Sequence, residues 1–235
     1  MSPPMVAVIG GCGGAGASLV AAAMALVAAD AGSPLTLLDA DADGVHAALA
    51  GIEATRGTAD LCRLADGLTA DHLRTAAFPH PRAGALIPAS PGGAPADTAA
   101  LGRRLSAIAD RPPLVVDCGS GAAAAVVVPP GVACVLVIAR DAAGLRAAEA
   151  TRHALPPGLV PLVVVNEGVR RGDVGHRAAA RVVGADAHVR LGPGDRDAQR
   201  VTAGYPPGRR SAFGRTITDL CVRCGLIPSP EDTDG

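Results

Sequence analysis

Lysine is absent from this 235-residue sequence, and all 21 of its basic residues are arginine. No site in the chain can therefore use a lysine ammonium group. Tryptophan is also absent, and the only aromatic residues are Phe78, Tyr205 and Phe213. So few rings argue against the stacking platforms with which proteins bind single-stranded nucleic acids. The formal net charge of −1 gives no indication of binding to nucleic acid or to an anionic membrane.

Long uninterrupted hydrophobic runs are missing as well. The apolar stretch 15–29 is shorter than the roughly 20 residues of a membrane-spanning helix. The stretch 122–139 is interrupted by two prolines and a glycine at 129–131. The first five residues lack the positive charge of a signal peptide. We therefore expect a cytoplasmic protein without a membrane segment of its own.

The cysteines show no metal-site pattern. The chain has six of them, and in a cytosolic protein we expect reduced thiols that are mostly buried. Cys221 and Cys224 form a C-x-x-C pair, but no second pair or histidine cluster completes a zinc site. We expect this pair to lie on a helix near the C-terminus.

Short apolar runs alternate with helical patterns along the chain. The runs are typical of strands buried on both faces, and they lie at 5–9, 35–38, 84–88, 114–117, 132–138, 160–165 and 187–191. Helices are predicted at 17–31, 96–109, 141–153, 194–203 and 211–224, with two or three short ones within 45–76. This alternation predicts an α/β fold with a mostly parallel central sheet and helices on both faces. We expect one domain over 1–227 and an acidic flexible tail over 228–235.

A glycine-rich segment, called the glycine loop below, lies between the first predicted strand and the first predicted helix. Its residues are Gly11, Cys12, Gly13, Gly14, Ala15, Gly16, Ala17 and Ser18. Glycines there let backbone N–H groups turn toward a phosphate, and the helix N-terminus adds its positive end. The loop fits the phosphate-binding pattern G-x-x-x-x-G-K-[ST], with Ser18 at the position that binds Mg²⁺, except that Ala17 replaces the lysine. The alternative is a tight turn packed against the sheet.

Polar residues end three further predicted strands, at the edge where α/β proteins bind ligands. Asp39, Asp41 and Asp43 follow the second strand, and Asp117 ends the strand at 114–117. Acids that face a phosphate loop hold Mg²⁺ or position an attacking water. Asn166 follows another strand and offers a donor and an acceptor to a purine edge. The alternative is that these residues stabilise turns, with Asp43 capping a helix.

Taken in order, these elements resemble the MinD/ParA family of deviant Walker A ATPases. The resemblance is carried by residues 6–18, 37–41, 114–117 and 163–166, and it continues more loosely over 191–204. Within the family it is similar to the CpaE/TadZ-like branch found beside pilus and secretion operons in actinobacteria. The arginine-for-lysine composition, rich in alanine, glycine and proline, is typical of a GC-rich genome. The resemblance implies a P-loop NTPase fold that binds ATP and Mg²⁺.

The resemblance also implies roles for individual residues. The glycine loop and Asn166 would bind the nucleotide. Ser18, Asp39 and Asp117 would hold Mg²⁺. Asp41, which matches the family's second aspartate, would position the attacking water.

The sequence departs from the family at both lysines of its K-G-G-x-G-K-[ST] pattern. Cys12 replaces the first, which in the family crosses a dimer interface to the partner's nucleotide, and Ala17 replaces the second, which grips the β- and γ-phosphates. The family's basic membrane helix is also missing, because residues 228–235 are acidic. The departures predict a degenerate member that binds ATP weakly and hydrolyses it poorly.

The function expected from the resemblance is spatial positioning of a Tad-type pilus or secretion machine, or of the division septum. Its partners would be proteins of that apparatus, with a homodimer and recruitment to the membrane or pole through partners. One alternative is an active ATPase that uses arginine in cis or in trans, with Arg140 as an internal candidate. Another is a protein-interaction scaffold with a vestigial nucleotide site. A DNA-binding switch is disfavoured because the chain has no basic stripe, and no specific nucleic acid partner is expected.

Overall fold

The computed structural model describes residues 2–41, 44–64, 67–89, 98–166, 174, 179, 181, 188–191 and 195–229. The strands are β1 (Met5–Gly10), β2 (Leu35–Asp39), β3 (Phe78–His80), β4 (Gly84–Ile87), β5 (Leu114–Ser120), β6 (Ala133–Ala139), β7 (Leu162–Asn166) and β8 (His188–Leu191). The helices are α1 (Ala17–Asp30), α2 (His46–Ala50), α3 (Thr58–Arg63), α4 (Ala70–Ala76), α5 (Thr98–Ala107), α6 (Ala122–Ala125), α7 (Ala142–Ala154), α8 (Asp195–Thr202) and α9 (Ala212–Arg223).

Within these residues the strands form one eight-stranded sheet in the order β3-β4-β2-β5-β1-β6-β7-β8. All neighbouring strands are parallel except β3, which is antiparallel to β4 at the edge. The predicted α/β fold with a mostly parallel sheet is therefore confirmed. β3 was not predicted, because a three-residue segment with a central proline has no apolar alternation and is tolerated only at an edge.

The strands are apolar on both faces because helices cover both. Alternate residues of β1 illustrate this: Ala7 and Ile9 pack in one core with α3 to α7, and Val6 and Val8 pack in the other with α1, α8 and α9. α1 lies between the sheet and α9 and is apolar on nearly every side. Its many alanines let both neighbours approach closely.

The C-terminal cysteines lie where the sequence places them. Cys221 is on α9 and Cys224 directly follows it, and both are buried. The Cys221 Sγ lies 3.6 Å from the carbonyl oxygen of Met24 on α1. Burial raises the pKa of the Cys224 thiol to about 11, so the pair is a packing feature and not a reactive site.

Some expectations fall on parts of the chain that the structure does not describe. The capping role of Asp43 and residues 230–235 of the predicted tail lie outside the described residues. Within the described part, no helix combines the length and the apolar character needed to cross a bilayer.

Candidate functional site

The carboxyl ends of β1, β2 and β5 bring the predicted residues to one edge of the sheet. Asp39 and Asp117 are register partners on β2 and β5, and β5 pairs with β1. The N–H of Gly121 donates to the carbonyl of Gly10 at 2.9 Å, which ties the end of β5 to the start of the glycine loop. Neighbouring strands are about 5 Å apart, so Asp117 lies one strand and Asp39 two strands from the strand that leads into the loop.

The glycine loop is held tightly at its start and is open at its centre. The N–H of Gly11 donates to the carbonyl of Val137 at 2.8 Å, and a Cβ at Gly11 would lie 2.7 Å from the Cβ of Ala148. Gly14 is left-handed, with φ of 74°, and no heavy atom lies within 4 Å of where its Cβ would be. Gly16, with φ of 96°, precedes α1. The loop therefore leaves open space in front of its central residues and ends on a helix N-terminus.

Asn166, at the end of β7, forms a hydrogen bond with the glycine loop. It is 3% exposed, and its Nδ2 donates to the carbonyl of Ala15 at 2.9 Å. Thr151 on α7 also contacts the loop, because its Oγ1 lies 3.3 Å from the carbonyl oxygen of Gly11. In this structure Asn166 therefore orients the loop, and contact with a purine edge stays a prediction.

Replacing Asn166 with alanine is expected to lower the free energy of unfolding by about 1–3 kcal/mol, because the Ala15 carbonyl loses a buried donor. The measurement is chemical denaturation of both proteins. Thr202→Ala is the control, since that exposed hydroxyl bonds only within its own helix turn. Equal stability of the Asn166 variant and the wild type would show that this hydrogen bond does not hold the loop.

The other predicted residues lie around the same edge. Ser18 is half-buried in the first turn of α1. The carboxylate of Asp41 lies beside Gly119 on β5, where an added Cβ would meet it at 2.9–3.2 Å. Asp41 follows Asp39 by two residues in the sequence. Its contact with Gly119 places it next to β5, the strand that carries Asp117. Its part in positioning a water stays a prediction.

A histidine that the sequence analysis did not single out lies at the centre of the site. His46, on α2, is 3% exposed, and its Nε2 lies 2.9 Å from Oδ2 of Asp117. Asp39 and Asp117 are 0% exposed. One ligand atom from each of the three side chains lies within 4.8 Å of the others. We call Asp39, His46 and Asp117 the buried cluster.

Backbone N–H groups orient both carboxylates of the buried cluster. Oδ1 of Asp39 accepts from the N–H of Asp41 at 3.2 Å, and its Oδ2 accepts from the N–H of His46 at 3.4 Å. Oδ1 of Asp117 accepts from the N–H of Gly119 at 3.1 Å. The chain before α2 passes so close that a Cβ at Gly44 would lie 2.7 Å from Oδ2 of Asp39. Glycine at 44 therefore lets His46 reach the aspartates.

Burial and mutual charge change the acidity of the cluster. Burial raises the pKa of Asp39 to about 6, although the charge of His46 partly opposes this. For His46, burial lowers the pKa, but the hydrogen bond to Asp117 and the nearby carboxylates outweigh it and raise the pKa above its usual value. The cluster thus holds two carboxylates and one imidazole in a dry environment.

The hydrogen bond between His46 and Asp117 bears on the Mg²⁺ site expected from the resemblance. Mg²⁺ requires a near-octahedral shell of oxygen ligands and keeps several waters. Asp39 and Asp117 are suitable oxygen donors, but the Asp117 oxygen that faces the cluster is bonded to the imidazole nitrogen of His46. His46 therefore occupies one oxygen that Mg²⁺ could use, and the Mg²⁺-binding role of Ser18, Asp39 and Asp117 stays a prediction.

No protein-family model matches the sequence, and no curated protein does either. Solved structures do match the fold. A ParA family ATPase from Chlorobium tepidum TLS superposes with a TM-score of 0.75 at 18% identity, covering 94% of this chain and 98% of that one. The septum site-determining protein MinD from Pyrococcus horikoshii OT3, in complex with Mg-ADP, has a TM-score of 0.73 at 18% identity, covering 94% and 95%. A chain of the MinC:MinD cell division protein complex from Aquifex aeolicus has a TM-score of 0.71 at 19% identity, covering 97% of this chain and 98% of that one.

These likenesses cover nearly the whole of both chains, but they are likenesses of structure at low sequence identity. The chain therefore has the fold of the ParA and MinD ATPases.

Proposed function

We propose that this protein binds a nucleoside triphosphate at the glycine loop and acts as a positioning protein of the MinD/ParA type. The observation that carries the proposal is the geometry of the loop: glycines in left-handed conformations, open space at their centre, and a helix N-terminus directly behind them. Backbone N–H groups and the helix dipole favour phosphate groups without any side-chain charge.

Hydrolysis is expected to be slow. Phosphoryl transfer leaves a protein little to do beyond positioning and stabilisation of charge. Cys12 and Ala17 supply no charge where the resembled family has lysines, and no lysine exists elsewhere in the chain. Backbone N–H donors can hold the phosphates of bound nucleotide. However, no cationic side chain of the loop stabilises the negative charge that develops during phosphoryl transfer. Binding is therefore the stronger part of the proposal.

The finer assignment is to the CpaE/TadZ-like branch. Its support is the sequence resemblance over residues 6–18 and 37–41 together with the loss of both lysines. In this proposal the protein positions a Tad-type pilus or secretion machine, or the division septum. It would act through protein partners and a homodimer, and partners would recruit it from the cytoplasm to the membrane or pole.

A second candidate function is a scaffold whose nucleotide site is vestigial. One observation favours it: His46 is bonded to Asp117 where the resembled family would need a free carboxylate for Mg²⁺. The two candidates make opposite predictions for nucleotide binding, so one experiment separates them.

Bound nucleotide is expected to protect Cys12 from alkylation. Cys12 is in the glycine loop and half-exposed, so phosphates seated on the loop would cover it. Protein is treated with iodoacetamide with and without ATP, and each cysteine is followed by peptide mass spectrometry. At ten times the Kd, occupancy slows modification of Cys12 by about tenfold. Cys62 on α3 is also half-exposed and serves as the internal control, with an unchanged rate.

The remaining cysteines should react only after unfolding, because burial raises the pKa of Cys134 to about 12 and of Cys224 to about 11. Gly14→Val is the matched variant: its left-handed backbone is strained by a branched side chain, so protection should disappear. If ATP at millimolar concentration leaves the Cys12 rate unchanged in the wild type, the nucleotide proposal fails and the scaffold is favoured.

A further inference from the structure

The short helix α2 turns its polar residue toward the core and its large apolar residue toward solvent. Of its five residues only His46 is buried, whereas Leu49 is 41% exposed. Val45, directly before the helix, is 45% exposed. An amphipathic helix normally buries its apolar residues and leaves its polar ones in water. α2 is therefore inverted, and specific contacts must hold it in this orientation.

The contacts that hold α2 are those of the buried cluster. Nε2 of His46 lies 2.9 Å from Oδ2 of Asp117, and the main-chain N–H of His46 donates to Oδ2 of Asp39 at 3.4 Å. Both aspartates are 0% exposed, so withdrawal of the imidazole would leave two buried carboxylates together without a cation. α2 can therefore turn away only when another cation takes the place of His46.

Space for a second orientation of α2 lies directly beneath it. An apolar cavity of about 30 Å³ is bordered by His46 and Leu49 together with Leu26, Leu37 and Leu86. Successive helix residues are about 100° apart, so Leu49 lies roughly 60° from His46 around the helix axis. A rotation by this angle moves His46 outward and brings Leu49 over the cavity, which buries apolar surface that is now exposed.

Magnesium bound with a nucleotide is the cation that would compete with His46. Mg²⁺ is usually bound through one or two carboxylates together with phosphate oxygens of the substrate. The glycine loop, where we propose that phosphates bind, is tied to the end of β5 by the hydrogen bond from Gly121 to Gly10. His46 and Mg²⁺ require the same oxygen of Asp117, so they cannot occupy it together.

We propose that His46 is an internal block, which closes Asp117 to Mg²⁺ until magnesium nucleotide displaces the imidazole and α2 rotates. This inference rests on the proposed nucleotide binding and adds its regulation. Because only the open fraction of the protein accepts Mg²⁺, the apparent affinity for magnesium nucleotide is reduced by that fraction. The rotation also exposes His46 and covers Leu49, so it changes the surface that a protein partner meets.

The first experiment measures the accessibility of His46 in the wild type. The full-length protein is treated with diethyl pyrocarbonate, which modifies accessible imidazoles, and each histidine is followed by peptide mass spectrometry. We expect His46 to react slowly in protein alone and in ATP with a chelator. In ATP with Mg²⁺ it should react about tenfold faster or more, because a minor open state of roughly 10% or less becomes the major one. His153, exposed on α7, is the internal control and should keep one rate throughout.

Alkylation of Cys12 in the same samples distinguishes this inference from the proposed function. Protection of Cys12 with an unchanged rate at His46 overturns the internal block and leaves nucleotide binding supported. No change at either residue overturns both proposals.

Variants then test the competition directly. The quantity measured is the ratio of the Kd for ATP in chelator to the Kd in Mg²⁺. His46→Asn removes the block and should raise this ratio about tenfold, whereas His153→Asn should leave it unchanged. Leu49→Asn should lower the ratio, because an amide is tolerated in solvent but not over the apolar cavity. An unchanged ratio in folded His46→Asn, checked by circular dichroism, overturns the proposal, and so does a raised ratio in Leu49→Asn.

Discussion

Replacing Ala17 with lysine is expected to raise nucleotide affinity about tenfold to a hundredfold, because a charged hydrogen bond to phosphate contributes about 1.5–3 kcal/mol. Ala17 is the first residue of α1, at the position where the resembled pattern has its phosphate-binding lysine. Turnover should rise by about 10²–10³-fold, since one preorganised charge contact stabilises the transition state by roughly 3–4 kcal/mol. The measurements are a nucleotide-binding titration and steady-state ATP hydrolysis.

Ala17→Met is the matched control, because it adds a chain of similar length without the charge and should leave affinity near that of the wild type. Cys12→Lys together with Ala17→Lys restores both lysines of the resembled pattern. A wild type that hydrolyses ATP as fast as this double variant, with no partner present, would contradict the degenerate-ATPase interpretation and favour an arginine-assisted enzyme.

Replacing His46 with leucine is expected to lower the free energy of unfolding by about 3–5 kcal/mol. His46 and Asp117 are a buried pair, with side chains 3% and 1% exposed, and removing one partner leaves the other uncompensated. Here the loss is aggravated, because Asp39 and Asp117 then face each other without a cation. Chemical denaturation of both proteins measures the effect.

The stability that the buried cluster contributes should depend on pH in a definite direction. Burial raises the pKa of Asp39 to about 6 from the usual 3.8, so the folded state binds this proton more tightly than the unfolded state. The stability that Asp39 contributes is therefore present below about pH 4 and is lost as the pH rises through 6. His46 acts in the same direction, because its pKa is also raised and its contribution is present below about pH 6 and is lost at higher pH. The wild type should therefore be more stable at about pH 5 than at about pH 7. His46→Leu removes the histidine part of this dependence.

A second substitution provides the control for this interpretation. His46→Leu combined with Asp117→Asn removes one carboxylate charge and should be more stable than His46→Leu alone. If the double variant is the less stable of the two, simple loss of packing explains the effect and charge does not.

Most of the fold could be predicted from the sequence, because its strands are continuous apolar runs and its helices have clear ends. The run Val6–Ile9 followed by glycines and then by an alanine-rich stretch has few alternatives to a strand, a loop and a helix. Two short elements, β3 and α6, were not predicted. β3 contains a proline, and α6 is four alanines within a run that carries no periodic signal. Both elements depend on tertiary packing, and no local sequence signal predicts them.

The site was predicted in part. Acids at strand ends meet because parallel strands share an edge, and this rule placed Asp39 and Asp117 together. No comparable rule applies to His46. Short helices were predicted within 45–76, but no sequence pattern indicates that the five-residue helix α2 turns this side chain toward Asp39 and Asp117. The only signal near it is Gly44, whose need for close approach becomes visible only in three dimensions.

The strand order has a consequence for biosynthesis. Among the eight strands of this sheet β1 is translated before the others, yet Met5 pairs with Leu114 on one side and Val6 pairs with Ala133 on the other. Until β5 and β6 have been translated, β1 and the apolar α1 have no sheet to join. Pairing between residues so distant in sequence slows folding and leaves apolar surface exposed during synthesis. The nascent chain is therefore a natural client for chaperones until β6 has emerged, and fragments that stop before it should aggregate.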